Sequence, residues 1–297
     1  MKTRELDGYL LAIISALGFS TLGIFAIFGY RNGLATFTML TVRFAGTALF
    51  FLPWILVTGE RFPSRKDAIM LAGMGGIGYT SMAALFFEAN RIAPVGIVSA
   101  ILYTFPAIVV LALSLLGWER MTGMKAMALA GTFTGMVLIV LASSSFNFET
   151  GIPLLGIVMG VGASLIYSAY IVVGTSVLRR VSAPMATFIV MGTAAVVCIA
   201  VGSATNSLSP IGIDDSWIVA GLVIPATALA VAGFFFAMQR IGSGRTSIIS
   251  NVEPVGAVFL GWAVLGQRLT PLQYVGAAVI IISAFLLSRK MTEAGKV

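Results

Sequence analysis

Ten stretches of predominantly apolar residues follow one another along this 297-residue chain, at 8–30, 35–57, 68–88, 94–117, 126–143, 153–177, 184–204, 216–238, 246–265 and 270–288. A bilayer core needs roughly 20 such residues when it is crossed as a helix. The connections are mostly short, which leaves no room for a separate soluble domain. With 59% apolar and only 10% charged residues, no soluble core could hide the apolar surface, and disorder needs the opposite balance. Mean hydropathy is +1.03. The sequence predicts an all-α membrane protein of ten transmembrane helices.

Composition also removes several chemistries. There is no histidine and a single cysteine, Cys198, inside an apolar run. Histidine-based acid–base work, His–Cys metal sites, Ser–His–Asp triads and internal disulfides are thereby excluded. No GxxxxGK[ST] phosphate loop is present, so ATP hydrolysis is not built in. Every lysine falls outside the apolar runs, which rules out a Ser–Lys pair at depth and leaves an intramembrane enzyme few groups to use. Charged pore rings of the kind that select ions are lacking too. No cofactor is expected. The first apolar run, which begins at Gly8, is longer than the core of a signal peptide and is expected to span.

Basic residues set the orientation. With the N-terminus inside, the cytoplasmic segments hold fourteen of the 18 Lys and Arg, and the outer loops hold Arg31, Arg91 and Arg268. That asymmetry predicts N-in, C-in. It also accounts for the net charge of +7 without a nucleic-acid partner; the bilayer and a small solute are the expected partners. Trp54, Trp118, Trp217 and Trp262 fall near span ends, as interfacial anchors do.

The chain repeats itself. Phe86-Phe87-Glu88-Ala89-Asn90-Arg91-Ile92 recurs as Phe235-Phe236-Ala237-Met238-Gln239-Arg240-Ile241. One residue of adjustment then aligns Ser99 with Ser247, Pro106 with Pro254, Arg120 with Arg268 and Thr122 with Thr270, and Gly8 and Ser20 match Gly156 and Ser168 at the same spacing. The expected units are residues 1–147 and 148–297. Each holds five helices, and because five is odd the second enters the membrane with opposite polarity. Inverted repeats recur in secondary transporters, with the solute site near the midplane between the halves.

Pro106 and Pro254 lie near the middles of the fourth and ninth spans. A proline there removes a backbone hydrogen bond, and the freed carbonyl needs protein or a wet cavity. Paired breaks in two halves point to a transport site. Ser99, Tyr103 and Pro106 share one helix face, and Ser247, Asn251 and Pro254 repeat that face from the other half. These six residues are the expected substrate lining, with Phe105 and Glu253 beside them and Tyr79, Tyr167 and Tyr170 as further candidates. Intramembrane charges mark function by default. Arg43, in the second span, is expected to pair with Glu88 at the end of the third as an outer gate or strut, and Glu253 is a candidate carrier of a coupling proton. Uncoupled facilitated movement is equally compatible with so few ionisable groups. Gly131/Gly135 and Gly156/Gly160 permit close helix contacts, within the fold or in an oligomer.

Ten spans in two halves, with Arg43 in the second helix, resemble the EamA-type drug/metabolite transporter superfamily. Each half also resembles that family's run of a mid-helix proline followed by Gly-x-Glu-x-x-Thr. The first half has Pro106 and then Gly117-Trp118-Glu119-Arg120-Met121-Thr122; the second has Pro254 and then Gly266-Gln267-Arg268-Leu269-Thr270. Gln267 departs from the usual acidic residue. The resemblance implies a bacterial inner-membrane exporter or exchanger of metabolites working by alternating access. One branch exports aromatic amino acids, and the tyrosine-rich midplane is compatible with that branch. Proton exchange of drugs or other metabolites is the alternative the same fold implies.

Overall fold

A computed structural model describes residues 2–93, 95–142, 153–266 and 268–294. Among these the chain is helical, with no strand. Ten rods run in sequence order: α1 (Lys2–Arg31), α2 (Thr36–Thr58), α3 (65–92), α4 (95–115), α5 (Gly123–Leu141), α6 (Leu154–Val177), α7 (Ala183–Ala204), α8 (216–241), α9 (243–265) and α10 (Pro271–Ala294). Nine of the described helical stretches are long and apolar enough to cross a membrane, and Pro271–Leu287 supplies a shorter apolar tenth. The expected boundary at 147/148 and the position of Gln267 lie outside the described residues.

Short polar turns join the rods. Ser64, Thr122 and Ser182 each accept a hydrogen bond from the backbone N–H three residues on, and so cap α3, α5 and α7. Gly117 and Gly266 end α4 and α9 in the left-handed region, at φ 69° and 67°, where a Cβ would be strained. The Gly-x-Glu-x-x-Thr run thus has a local logic: the glycine stops one helix and the threonine starts the next. Thr270 opens α10 in the same way, accepting from Gln273 N at 3.3 Å.

Helix pairing reflects the repeat. The rod α1 packs along α8 and α9, while α6 packs along α3 and α4; α2 pairs with α7, α5 with α10, and α4 with α9. Advancing every number by five maps this scheme onto itself. The two halves interlock about a pseudo-two-fold axis instead of standing side by side.

The small-residue pairs serve these contacts. Gly135 and Gly276 meet where α5 crosses α10, and a Cβ on either would stand 2.5 Å from the other's carbonyl oxygen. On α6, Gly156 and Gly160 lie against Ala93 and Ile101. Both Gly-xxx-Gly pairs are therefore used inside the chain. Gly135→Val is expected to destabilise the fold by about 1–3 kcal/mol through overpacking, seen as a lower melting temperature in detergent; an unchanged melting temperature would mean α5 and α10 do not cross there.

Two features qualify the expectation of kinked helices. In α4 the segments Val95–Leu102 and Phe105–Leu115 are separated by a turn at Tyr103–Thr104, and in α9 Ser243–Ser250 and Glu253–Leu265 by a turn at Asn251–Val252. Pro106 and Pro254 sit in the first turns of the second segments, where a missing N–H costs nothing. They start new helices; they do not bend continuous ones. The Leu102 carbonyl, which Pro106 cannot serve, accepts from Ser164 Oγ of α6 at 3.2 Å. Ser168 Oγ lies 3.4 Å from the Phe105 carbonyl. The second feature has no counterpart in the sequence reading: α3 and α8 are wound as π-helix over Met74–Tyr79 and Ile224–Leu229. Carbonyls loosened there are taken up by hydroxyls, Gly75 O by Thr80 at 2.9 Å and Leu222 O by Thr227 at 2.7 Å.

Candidate functional site

The breaks and the π turn of α3 lie around a cavity of about 330 Å³. Its wall comes from α1 (Phe19, Ser20), α3 (Tyr79, Phe86), α4 (Ser99, Tyr103, Phe105) and α6 (Tyr167), with Arg43 of α2 and Glu253 of α9. It extends from the level of the breaks toward the junction of α3 and α4, which the charge asymmetry places on the outer side.

Arg43 is the most constrained of these residues. It is 3% exposed. Its Nε donates to Thr227 Oγ1 at 3.1 Å and an Nη donates to the Tyr79 hydroxyl at 3.0 Å. The guanidinium also lies 4.9 Å from the centroid of Phe44. Tyr79 and Thr227 belong to the two π segments, so one forked side chain ties those segments together. The expected pairing of Arg43 with Glu88 is corrected here: Glu88 lies nine residues beyond Tyr79, about 13 Å further along α3, and is exposed.

Glu253 begins the second segment of α9 and lines the same cavity as Tyr103 of the broken α4. The two breaks therefore meet across the cavity, one offering a phenol and the other a carboxyl group. No direct ion pair joins Arg43 and Glu253 among the described residues. Around them the aromatic rings form a cage: Phe105 and Tyr167 stand edge to face at 4.7 Å, Tyr167 and Tyr170 stack at 5.9 Å, and Tyr79 lies 5.5 Å from Tyr170.

Of the anticipated lining residues, Ser99, Tyr103, Phe105, Tyr79 and Tyr167 reach the cavity together with Arg43 and Glu253. Tyr170 stands behind them as a second layer. Pro106, Ser247, Asn251 and Pro254 do not line it. The reason is geometric: a cavity extending toward one face breaks the two-fold symmetry, so only one of two equivalent stripes lies in its wall. Sequence reasoning missed the apolar contributors Phe19, Met82 and Phe86. Phe86 was in view as part of the repeated Phe-Phe element, without a role attached to it.

The other end of the bundle is closed by polar contacts, one of which joins the two halves. Glu119, after α4, reaches across to the start of α9, where its Oε1 accepts from Gly244 N at 3.0 Å. Its other oxygen accepts from Lys125 Nζ at 2.7 Å. Thr175 of α6 and Ser243 of α9 lie 2.6 Å apart, hydroxyl to hydroxyl. A Cβ at Gly244 would stand 2.5 Å from the Glu119 carboxylate, so glycine is what lets the carboxylate approach. Glu119, Lys125, Thr175 and Ser243 also line a separate, wider pocket of about 640 Å³ on the side that carries Arg120, Arg179 and Arg245.

Ten membrane-spanning rods, interlocked by an internal repeat around a cavity sealed at one end, define a membrane transporter of the inverted-repeat class. The chain belongs to the EamA-like transporter family, which matches it twice, over residues 6–141 and 154–289. It is 26% identical over 284 residues to an uncharacterized transporter of Archaeoglobus fulgidus, covering 94% of this chain and 95% of that one. It is 22% identical over 259 residues to the uncharacterized inner membrane transporter YedA of Escherichia coli K12, covering 84% and 80%. A solved crystal structure 18% identical in sequence shares the fold, with a TM-score of 0.81 over 96% of this chain and 98% of the other.

Proposed function

We propose that this transporter carries small amphipathic metabolites, aromatic amino acids among them, across a bacterial inner membrane by alternating access around the central cavity. One observation supports this best: Arg43 and Glu253 bring opposite charges to one cavity without pairing with each other, and aromatic rings fill the space around them. A zwitterion with a flat apolar side chain matches that layout, its carboxylate toward Arg43, its ammonium toward Glu253 and its ring among the tyrosines. The cavity volume is at the small end of ligand sites, which favours a single metabolite over a larger drug. Counterflow in liposomes loaded with amino acids, nucleobases or amphipathic cations tests the proposal. Saturable exchange of aromatic amino acids is expected; exchange of nucleobases or cations alone would overturn it.

The position of Glu253 supports a second reading, proton exchange of drugs or other metabolites. Under it, Glu253→Gln abolishes the response of flux to a pH gradient while counterflow continues. A Glu253→Gln variant that keeps its full pH-driven flux would remove that reading.

A further inference from the structure

The sequence correspondence between the halves gives images to several residues on the α3 and α4 walls of the outer cavity. Met82 and Phe86 correspond to Val231 and Phe235, and Ser99, Leu102 and Tyr103 to Ser247, Ser250 and Asn251. These five images are buried, Ser247 at 0%, Ser250 at 3% and Asn251 at 1% exposure. The apolar images fit a dry core. The polar ones fit poorly: Ser247 Oγ and Asn251 Oδ1 have no hydrogen-bond partner among the described residues. An orphaned buried polar atom carries a desolvation penalty and calls for an explanation.

The orientation of the Asn251 amide is settled by its neighbours. Thr132 Oγ1 donates its proton to the Leu129 carbonyl at 3.1 Å, so toward Asn251 it acts as an acceptor, and it takes an N–H of the amide at 3.0 Å. The free atom is therefore the carbonyl oxygen. Ser247 lies one turn earlier on the same face of α9. The side chains of Ser247 and Asn251 thus supply two oxygens that nothing in this state uses.

We infer that Ser247 and Asn251 form the polar half of a second, cytoplasm-facing solute site, dry in this state and opened when the contact of Glu119 with Gly244 parts. This rests on the reading of the chain as an alternating-access carrier. Two oxygen acceptors suit a solute bearing an ammonium or another N–H donor group. The two faces then differ chemically: the solute meets the Tyr103 phenol from outside and the Asn251 amide oxygen from inside. Selectivity is set separately on each side of the membrane.

Sided thiol labelling tests the inference. Ser247→Cys and Ser99→Cys are each placed in a Cys198→Ala background, reconstituted in one orientation, and treated with a membrane-impermeant quaternary-ammonium methanethiosulfonate from either face. Ser99→Cys is expected to react from outside. Ser247→Cys is expected to react from the cytoplasmic face, at least tenfold faster than from outside. If Ser247→Cys does not exchange solute, Asn251→Cys is labelled in its place. Reaction of both replacements only from outside, or from neither face, while counterflow proceeds, overturns the second site and leaves the carrier reading intact. Cytoplasmic-side reaction in a protein that exchanges none of the solutes tested would support the second site and defeat the solute assignment. A kinetic readout separates binding from mere packing: Asn251→Leu is expected to raise the cytoplasmic-side KM for a primary-amine solute about tenfold, the loss of one charge-assisted hydrogen bond, and to leave the outer-side KM within about twofold. Equal changes on both sides would overturn the assignment.

Discussion

Arg43→Met is expected to raise the KM for a zwitterionic solute by about 10- to 150-fold, the loss of a charge-assisted hydrogen bond worth about 1.5–3 kcal/mol. Methionine keeps the apolar stem and removes the fork. The Tyr79 hydroxyl then loses the donor it accepts from at 3.0 Å, whereas the Thr227 hydroxyl keeps its bond to the Leu222 carbonyl. The pocket loses its cation and the order of one tyrosine, and the π segment of α8 keeps its internal satisfaction. Arg43→Lys is expected to rescue little, because one ammonium cannot serve Thr227 through Nε and Tyr79 through Nη at once. Counterflow KM is the measurement. Full rescue by lysine would show that charge alone matters, and an unchanged KM in Arg43→Met would remove Arg43 from the site.

Glu119→Ala is expected to open the sealed end. The Lys125 side chain is 7% exposed and has Glu119 as its ion-pair partner at 2.7 Å; without it, the Arg120 carbonyl at 3.2 Å is its remaining acceptor. Breaking a buried pair by removing one partner costs about 3–5 kcal/mol. Gly244 N also loses its acceptor at the start of α9. Parting of the halves gives water to both groups, so the penalty falls on the closed state. A shift of about 3 kcal/mol changes the ratio of closed to open by roughly two orders of magnitude. Cytoplasmic labelling of Ser247→Cys is the readout, and it is expected to rise at least tenfold in the Glu119→Ala background. Lys125→Met added to Glu119→Ala is expected to restore much of the seal, since the stranded charge is gone. No change in labelling would mean that Glu119 is not part of the closure. The corresponding position in the second half is Gln267, a neutral residue, so the two ends are chemically unequal.

Much of the fold was legible because bilayer thickness imposes one run length on every span, and the ten apolar runs could be counted directly. The repeat was legible for a related reason: Ser99/Ser247 and Pro106/Pro254 keep their spacing because both halves build the same break. The π turns were not, since a single i→i+5 turn leaves no periodicity to detect. Gly75, Gly76, Gly78 and Pro225 mark those stretches only in hindsight. The site was half legible. Ser99 and Tyr103 line the cavity, but Ser247 and Asn251 do not, because the cavity extends toward one face and takes in only one of the two equivalent stripes. The partner of Arg43 had no local signal, Thr227 being 184 residues away; charge alone suggested Glu88, and the packing of α3 placed a tyrosine there instead.

Arg120 and Arg268 occupy matching places in the two halves, each in an exposed turn just after a broken helix. Sided labelling of Arg120→Cys and Arg268→Cys, each in a Cys198→Ala background, is the most direct test of two antiparallel halves enclosing one cavity. Arg120→Cys should react only from the cytoplasm and Arg268→Cys only from outside; reaction of both from the same face would contradict the account.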